Sequence, residues 1–200
     1  MSSWLEKFFK PKGAPLTSQY VLSSSEKADP GDHSLAYKLQ NSDGAFQKFQ
    51  IAAECANHLA AGIDTTGDAL CFLMYQISLP KSSYVQDQLI AELSLHKEKA
   101  LDELPYLEAV VKEGLRCFPP IPMSQPRYVP SGGRRIDGYS IPAGVIVSCQ
   151  AWSVHQLNEE TFVQGDQFLP ERWLNANAVL EMNKLFFSFS AGGRGCLGRQ

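Results

Sequence analysis

The sequence predicts a mainly α-helical fold with a small β region, on the strength of three observations. A proline-free stretch from about Phe46 to Leu79 repeats its apolar residues every three or four positions, as a long helix does. Two shorter stretches with similar spacing follow, at about 82–95 and 102–117. Residues 124–149 then break into four short β-type runs separated by glycine-containing turns.

Each helix has a local signal for its start or its end. Pro80 ends the long helix, and Ser82 and Ser83 are residue types that cap the first N–H groups of the next one. The third helix ends before the Pro119-Pro120 pair, because proline disfavours helical backbone in the residue before it.

The remaining segments are less regular. The β-type runs predict strands at 124–129, 134–136, 139–141 and 145–149. Residues 1–45 form a loop-rich N-terminal segment, because Pro, Gly, Ser and Asp are frequent there, with one short helix around 34–40. Residues 151–187 are expected to be irregular with short helical pieces.

Composition narrows the class of protein. The 200 residues carry 18 Lys and Arg against 21 Asp and Glu, which gives a formal net charge of −3. With 44% hydrophobic residues and no basic tract, the chain has a folded, globular composition, and nucleic acid is an unsuitable partner. No apolar run approaches the roughly 20 residues of a transmembrane helix, and residues 1–10 lack the apolar centre of a secretory signal.

The cysteines argue against a disulfide framework and against a structural zinc site. There are five of them, and none forms a Cys-x-x-Cys pair; they are Cys55, Cys71, Cys117, Cys149 and Cys196. Free thiols in a reducing compartment are therefore expected.

The glycine-rich segment from Phe189 to Gly198 carries the strongest chemical signal. Four glycines within seven positions let the backbone turn tightly and approach a flat ligand. Cys196 follows this turn, and a helix starting beside it would aim N–H groups at the sulfur and favour the thiolate. From the glycines alone, a loop with an incidental buried cysteine is an equally good interpretation.

The full pattern Phe189-x-x-Gly-x-Arg-x-Cys196-x-Gly resembles the haem-binding loop of the cytochrome P450 superfamily. Three more motifs of that family occur in the expected order, although Trp173 stands where the family has Phe. They are Ala61-Gly-Ile-Asp-Thr-Thr66 on the long helix, Glu113-Gly-Leu-Arg116 on the third helix, and Pro170-Glu-Arg-Trp173. The resemblance covers roughly residues 30–200.

This resemblance implies a partial P450 fold. Residues 46–200 would be the haem domain, with the I helix at 46–79, the J helix at 82–95 and the K helix at 102–117. The β region at 124–149 and the meander and Cys loop at 151–200 would complete it. Because family members are more than twice as long, the resemblance also implies a fold truncated at both ends.

The same resemblance implies roles for individual residues. Cys196 would be the axial thiolate ligand of the iron of haem b, within a loop that includes Phe189 and Gly198. Asp64 and Thr65 would be catalytic, delivering protons to bound oxygen. Arg194 and Arg127 would pair with the haem propionates. Glu113, Arg116 and Arg172 would form a buried structural triad behind the haem.

The implied activity is that of a monooxygenase that uses O2 to oxidise a small organic substrate. An NADPH-cytochrome P450 reductase would supply the electrons. The overall sequence looks like fungal members, many of which serve secondary-metabolite pathways. Relatives face the cytosol on the endoplasmic reticulum membrane, whereas a chain without an anchor would be cytoplasmic.

Two alternatives stay open beside this interpretation. One is a truncated and catalytically silent relative whose motifs persist without activity. The other is a haem-thiolate enzyme that isomerises or dehydrates its substrate without a reductase. The intact Asp64-Thr65 pair favours oxygen activation over that second alternative.

Overall fold

The computed structural model describes residues 16–26, 31–44 and 46–199. The chain divides into two units, Met1–Asp64 and Thr65–Gln200. The mainly helical class with a small β region is confirmed. None of the helices in the described ranges combines the length and the apolar composition that a membrane crossing requires.

The first unit contains helices α1 (Leu16–Ser25) and α2 (Leu35–Gln40) and the beginning of the long helix α3 (Lys48–Ser78). Helix α2 is the short helix expected near 34–40, and the Ser34 hydroxyl caps it by accepting from the Tyr37 N–H at 3.1 Å. Helix α1 was not predicted, because its serines were interpreted as loop. The stretch holds neither Pro nor Gly, so nothing interrupts helical hydrogen bonding. Three parts of the predicted loop lie outside the described residues, at 1–15, 27–30 and 45.

Helix α3 continues into the second unit and is α-helical without interruption over 31 residues. Its inward stripe in this unit consists of Thr65, Ala69, Leu73 and Ile77, spaced by four residues. Leu73 packs closely against Gly114 of helix α5 (Pro105–Cys117), where a Cβ would lie 2.8 Å from the Leu73 Cδ1. The glycine of the Glu113-Gly-Leu-Arg116 motif therefore allows the two helices to approach.

A 3₁₀ turn, Pro80–Ser82, leads into helix α4 (Ser83–Leu95), which packs on α5. The Ser82 hydroxyl accepts from Gln76 and makes no capping bond to α4, in contrast to the predicted role of this serine. A second 3₁₀ turn, Leu101–Glu103, precedes α5. Both carboxylate oxygens of Glu92 accept the first N–H groups of α5, from Tyr106 at 2.8 Å and Leu107 at 2.9 Å.

The four predicted strands are present as two nested antiparallel pairs. Strand β1 (Ser124–Tyr128) pairs with β4 (Ile146–Gln150), and β2 (Arg134–Ile136) pairs with β3 (Tyr139–Ile141). The inner turn has φ of 46° at Asp137 and 80° at Gly138, which is the left-handed backbone that two-residue hairpins need.

After β4, helix α6 (Ala151–Leu157), a 3₁₀ turn (Pro170–Leu174) and helix α7 (Ala176–Leu185) pack an apolar core against α5. This core consists of Ala109, Phe162, Trp173 and Met182. A last 3₁₀ turn, Gly192–Arg194, leads to Cys196. The helix expected beside Cys196 is not observed at 196–199, where a single turn is closed by the Arg199 N–H on the Cys196 carbonyl at 3.4 Å.

Candidate functional site

Glu113 of α5 carries a completely buried carboxylate. Glu113 Oε2 accepts from Arg116 Nε at 2.8 Å and from the Trp173 indole N–H at 2.9 Å. Its Oε1 accepts from Arg116 Nη2 at 2.9 Å, from Arg172 Nε at 3.0 Å and from the Leu169 N–H at 2.8 Å. Five donors therefore satisfy a charge that would otherwise be very costly to bury.

The two arginines extend this centre into the loop between α6 and the 3₁₀ turn at 170–174. Arg116, which is also fully buried, donates to the carbonyls of His155, Gly165 and Gln167 at 2.7–2.8 Å. Arg172 donates to the carbonyls of Val163 and Gln164. The structure thus brings Glu113, Arg116 and Arg172 together, and they fasten the loop 163–169 to α5.

The charges of this centre are mutually stabilised. Burial by itself would raise the pKa of Glu113, but the hydrogen bonds and charge of Arg116, followed by the charge of Arg172, hold that pKa below its ordinary value. Burial and the charge of Glu113 raise the pKa of the neighbouring Cys117 thiol to about 12. Cys117 is therefore a neutral thiol in the wall of this centre.

The segment Phe187–Ser190, which we call the loop arm, leads into the glycine-rich loop and is tied to its surroundings by side chains. Ser188 Oγ donates to the Leu115 carbonyl of α5 at 2.8 Å, and Ser190 Oγ donates to Gln125 Oε1 of β1 at 3.3 Å. Ser190 has a φ of 59°, a left-handed conformation that is uncommon outside glycine and clusters at functional sites. The Cys196 N–H donates to the Phe189 carbonyl at 2.9 Å and closes the loop.

A cavity of about 210 Å³ lies over this loop. Cys196 and Arg194 border it from the loop, and Thr65 borders it from α3. A second cavity, of about 230 Å³, shares Thr65 and Phe189 with the first and is lined almost entirely by apolar groups. The exposed Cys196 therefore borders a largely apolar space that Thr65 lines from α3.

The remaining predicted site residues are Arg127, Gly198 and Asp64. Arg127 is exposed, donates to the carbonyl of its own neighbour Pro126, and shares one face of β1 with Gln125, two residues earlier. A Cβ on Gly198 would lie 3.8 Å from Cys196 Sγ. Asp64 belongs to the first unit, and its side chain is exposed.

The expected backbone donors to the cysteine sulfur are not observed. Among the described residues, no N–H group donates to Cys196 Sγ, because the chain beyond it forms a turn and no helix. The ranges that the structure describes also contain no cluster of three His, Cys, Asp or Glu side chains suited to a bare metal ion. Cys196 is an exposed residue that borders the cavity.

Residues 3–200 match the family model described as Cytochrome P450. The chain belongs to the cytochrome P450 family. Among curated relatives it is 36% identical over 186 residues to "Cytochrome P450 monooxygenase cloA" of Claviceps purpurea, covering 88% of this chain and 36% of the relative. It is 35% identical over 167 residues to a cytochrome P450 monooxygenase of Aspergillus terreus, covering 78% and 34%. The chain thus spans about a third of the length of the curated relatives it matches.

Solved P450 structures share the fold. A retinoic-acid-bound cyanobacterial P450 superposes with a TM-score of 0.77 over 91% of this chain and 43% of its own, at 22% identity. A zebrafish P450 solved with progesterone gives a TM-score of 0.64 over 82% of this chain and 38% of its own, at 25% identity. The described architecture is therefore part of a P450 fold.

Family membership implies a haem cofactor, and the residues present fit one. Cys196 offers the cysteine sulfur that haem iron takes in this family, and it borders a largely apolar cavity. Arg194 places a guanidinium on the same cavity, where a carboxylate substituent can be paired.

Several contributors to the site were not predicted from the sequence. Trp173 stands where the family pattern has Phe, and its indole N–H donates to Glu113, a contact that the motif does not predict. Gln125 and Ser188 carried no motif, although both fix the loop arm. The sequence held one signal of the contact between Trp173 and Glu113. A Trp at a Phe position introduces an indole N–H, which needs an acceptor when it is buried.

Proposed function

We propose that this chain carries the haem-binding loop and part of the oxygen-side wall of a haem-thiolate monooxygenase. The observation that supports this most is the cavity that Cys196 of the glycine-rich loop and Thr65 of α3 both line. When bound, a thiolate-ligated haem b supplies oxygen activation, for which the cytochromes P450 are the standard example.

In this proposal, Cys196 binds the iron as a thiolate and the loop arm fixes its position. Arg194 neutralises a propionate, and Arg127 does the same from strand β1. Phe189 contributes a ring to the cavity wall, and Gly198 leaves the cysteine sulfur accessible. The triad of Glu113, Arg116 and Arg172 touches no reacting atom; it holds the loop 163–169 against α5.

Thr65 and Asp64, which are neighbours on the long helix, would supply the protons for oxygen activation. A threonine hydroxyl both donates and accepts, so Thr65 can hold a proton at the cavity wall and pass it on. The exposed carboxylate of Asp64, which precedes it in the chain, can take protons from solvent.

The partners follow from the same proposal. An NADPH-cytochrome P450 reductase would supply electrons, with O2 and a small organic molecule as substrates. The fungal relatives named as monooxygenases favour a setting in secondary-metabolite biosynthesis. Placement at the cytosolic face of the endoplasmic reticulum is part of this proposal.

Haem titration combined with thiol labelling tests the assignment of Cys196. The purified chain is titrated with haem and then alkylated, and each cysteine is quantified by mass spectrometry. We expect haem to protect Cys196, while the exposed Cys71 and Cys149 stay reactive. Cys196→Ser should bind haem weakly, and the matched control Cys149→Ser should bind it as the wild type does.

A different result would favour the silent relative. If haem leaves Cys196 as reactive as Cys149, or if Cys196→Ser binds haem like the wild type, the chain does not build a thiolate-ligated site. The proposal would then be wrong for this chain.

A further inference from the structure

His155 occupies a completely buried position between the triad and the loop arm. Its Nδ1 lies 3.1 Å from the Arg116 carbonyl at the end of α5, and its Nε2 lies 2.8 Å from the Phe187 N–H at the start of the arm. Its ring stacks on Phe186 at a centroid distance of 5.6 Å and meets Phe162 edge to face at 5.8 Å. One imidazole thus joins three segments of the chain.

These contacts fix a single tautomer. A backbone N–H only donates, so the Nε2 that faces Phe187 must carry no proton. A carbonyl only accepts, so the Nδ1 that faces Arg116 must carry one. The neutral Nδ1–H imidazole satisfies both neighbours, and a second proton on the ring would face the Phe187 N–H.

The surroundings of the ring also favour the neutral form. Burial, followed by the charge of Arg116, lowers the pKa of His155 to about 4, against the opposing effect of the Arg116 and Leu185 carbonyls and of Glu113. Arg116 and Glu113 come from α5, and the rings of Phe162 and Phe186 complete the surroundings. His155 therefore stays uncharged over the range in which ordinary histidines titrate.

The loop arm is the element that this imidazole can position. Three hydrogen bonds join it to three different elements: Phe187 to His155 of α6, Ser188 to Leu115 of α5, and Ser190 to Gln125 of β1. The arm in turn sets the Phe189 carbonyl that receives the Cys196 N–H. A change at Phe187 is thus transmitted through a short hydrogen-bonded path to the cysteine.

We propose that His155 is a positioning residue for the cysteine ligand: as the neutral Nδ1–H tautomer it anchors Phe187 and thereby holds Cys196 at the cavity. This inference rests on the proposed function, because it assigns to Cys196 the role of ligand. The anchoring itself can be measured without haem.

The first test is the tautomer in the haem-free chain. Nitrogen-15 chemical shifts of labelled histidine should show that Nδ1 of His155 carries the proton at pH 7. The same shifts should show no titration of that ring down to pH 5. A protonated Nε2, or a ring that titrates near pH 6.5, would overturn the proposal.

A matched pair of variants separates anchoring from mere filling of space. In His155→Gln the longer amide carries an oxygen that can accept the Phe187 N–H, whereas in His155→Asn the shorter amide can reach only the Arg116 carbonyl. We expect hydrogen exchange of the Phe187 amide to be about tenfold faster in His155→Asn than in His155→Gln, as for the loss of one buried hydrogen bond. Equal exchange in the two variants would refute the anchoring.

The effect of the two variants on Cys196 is measured in the haem-loaded chain. The thiolate-type spectrum of the reduced carbon-monoxide complex should be retained in His155→Gln and largely lost in His155→Asn. If both variants keep it, the positioning role is wrong while the proposed function stands. If the wild type itself lacks that spectrum, the proposed function fails, and the exchange experiment still decides the anchoring. Should His155→Asn not fold, the wild-type tautomer and the His155→Gln variant decide.

Discussion

The indole N–H of Trp173 donates to Oε2 of Glu113 at 2.9 Å, inside the buried centre that fastens the loop 163–169 to α5. The family pattern has Phe at this position, and Phe has no N–H. The Trp ring also packs against Phe162 and Phe186 and lies under the Lys112 ammonium. The chain has therefore added a fifth donor to a carboxylate that already binds two arginines.

Replacing the Trp173 indole should lower the stability of the second unit. We expect Trp173→Phe to lower the free energy of unfolding by about 2 kcal/mol, because a hydrogen bond to a buried charge is lost and the smaller ring leaves space. Denaturant unfolding measures this. The matched control is Trp152→Phe, at a residue that is 45% exposed. Equal effects of the two substitutions would contradict the importance of the indole N–H.

Removing the charge of Glu113 should be more severe. In Glu113→Gln, Arg116 keeps its carbonyl partners but both arginines lose their counter-charge, for which we expect a loss of about 3–5 kcal/mol. The control is Glu108→Gln, which breaks an exposed i,i+4 pair with Lys112 and should cost about 0.5 kcal/mol or less. A loss in Glu113→Gln no larger than in the control would refute the triad as a structural centre.

Acid should destabilise the second unit in two stages. His155 has a pKa of about 4 in the folded chain against 6.5 ordinarily, so the unfolded chain binds its proton first and stability falls as the pH drops from 6.5 to 4, by up to about 3 kcal/mol. The pKa of Glu113 is lowered by folding, so its contribution is complete above pH 4.5 and is lost as the pH falls through the lowered value.

The first stage can be isolated by measuring unfolding free energy against pH. Relative to the wild type, His155→Gln should flatten the profile between pH 6.5 and 4. An unchanged slope in His155→Gln would show that this imidazole does not control the acid response.

The cysteines should differ widely in reactivity. With its pKa raised to about 12 by burial and by Glu113, Cys117 should alkylate at least a hundredfold more slowly at pH 8 than the exposed Cys149. Competitive labelling with mass spectrometry measures both sites in one sample, and the denatured chain serves as the control in which they react alike. Equal rates in the native chain would place Cys117 outside a buried centre.

The sequence predicted the elements whose signals are local. The long helix and the strands at 124–149 came from apolar spacing and from turns such as Asp137-Gly138, and the structure has them within a few residues. Helix α1 was missed because serine is an ambiguous signal between loop and helix. At 196–199, where a helix was expected to begin, the structure has a single turn closed by the Arg199 N–H on the Cys196 carbonyl.

The candidate site also divides into residues that have a local sequence signal and residues that have none. Cys196, Arg194, Phe189 and the triad could be predicted as site residues because each belongs to a fixed motif. The contacts of His155 and Gln125 were not predicted, because their partners Phe187 and Ser190 are 32 and 65 residues away in the chain. Only folding brings such pairs together, so spacing along the sequence carries no trace of them.

The reduced carbon-monoxide difference spectrum of the haem-loaded chain tests the central claim most directly. We expect a strongly red-shifted Soret band that is lost in Cys196→Ser and retained in Cys149→Ser, because a thiolate from Cys196 would then be the iron ligand. An unshifted band, or a shifted band that survives in Cys196→Ser, would contradict the claim that this cysteine builds a haem-thiolate site.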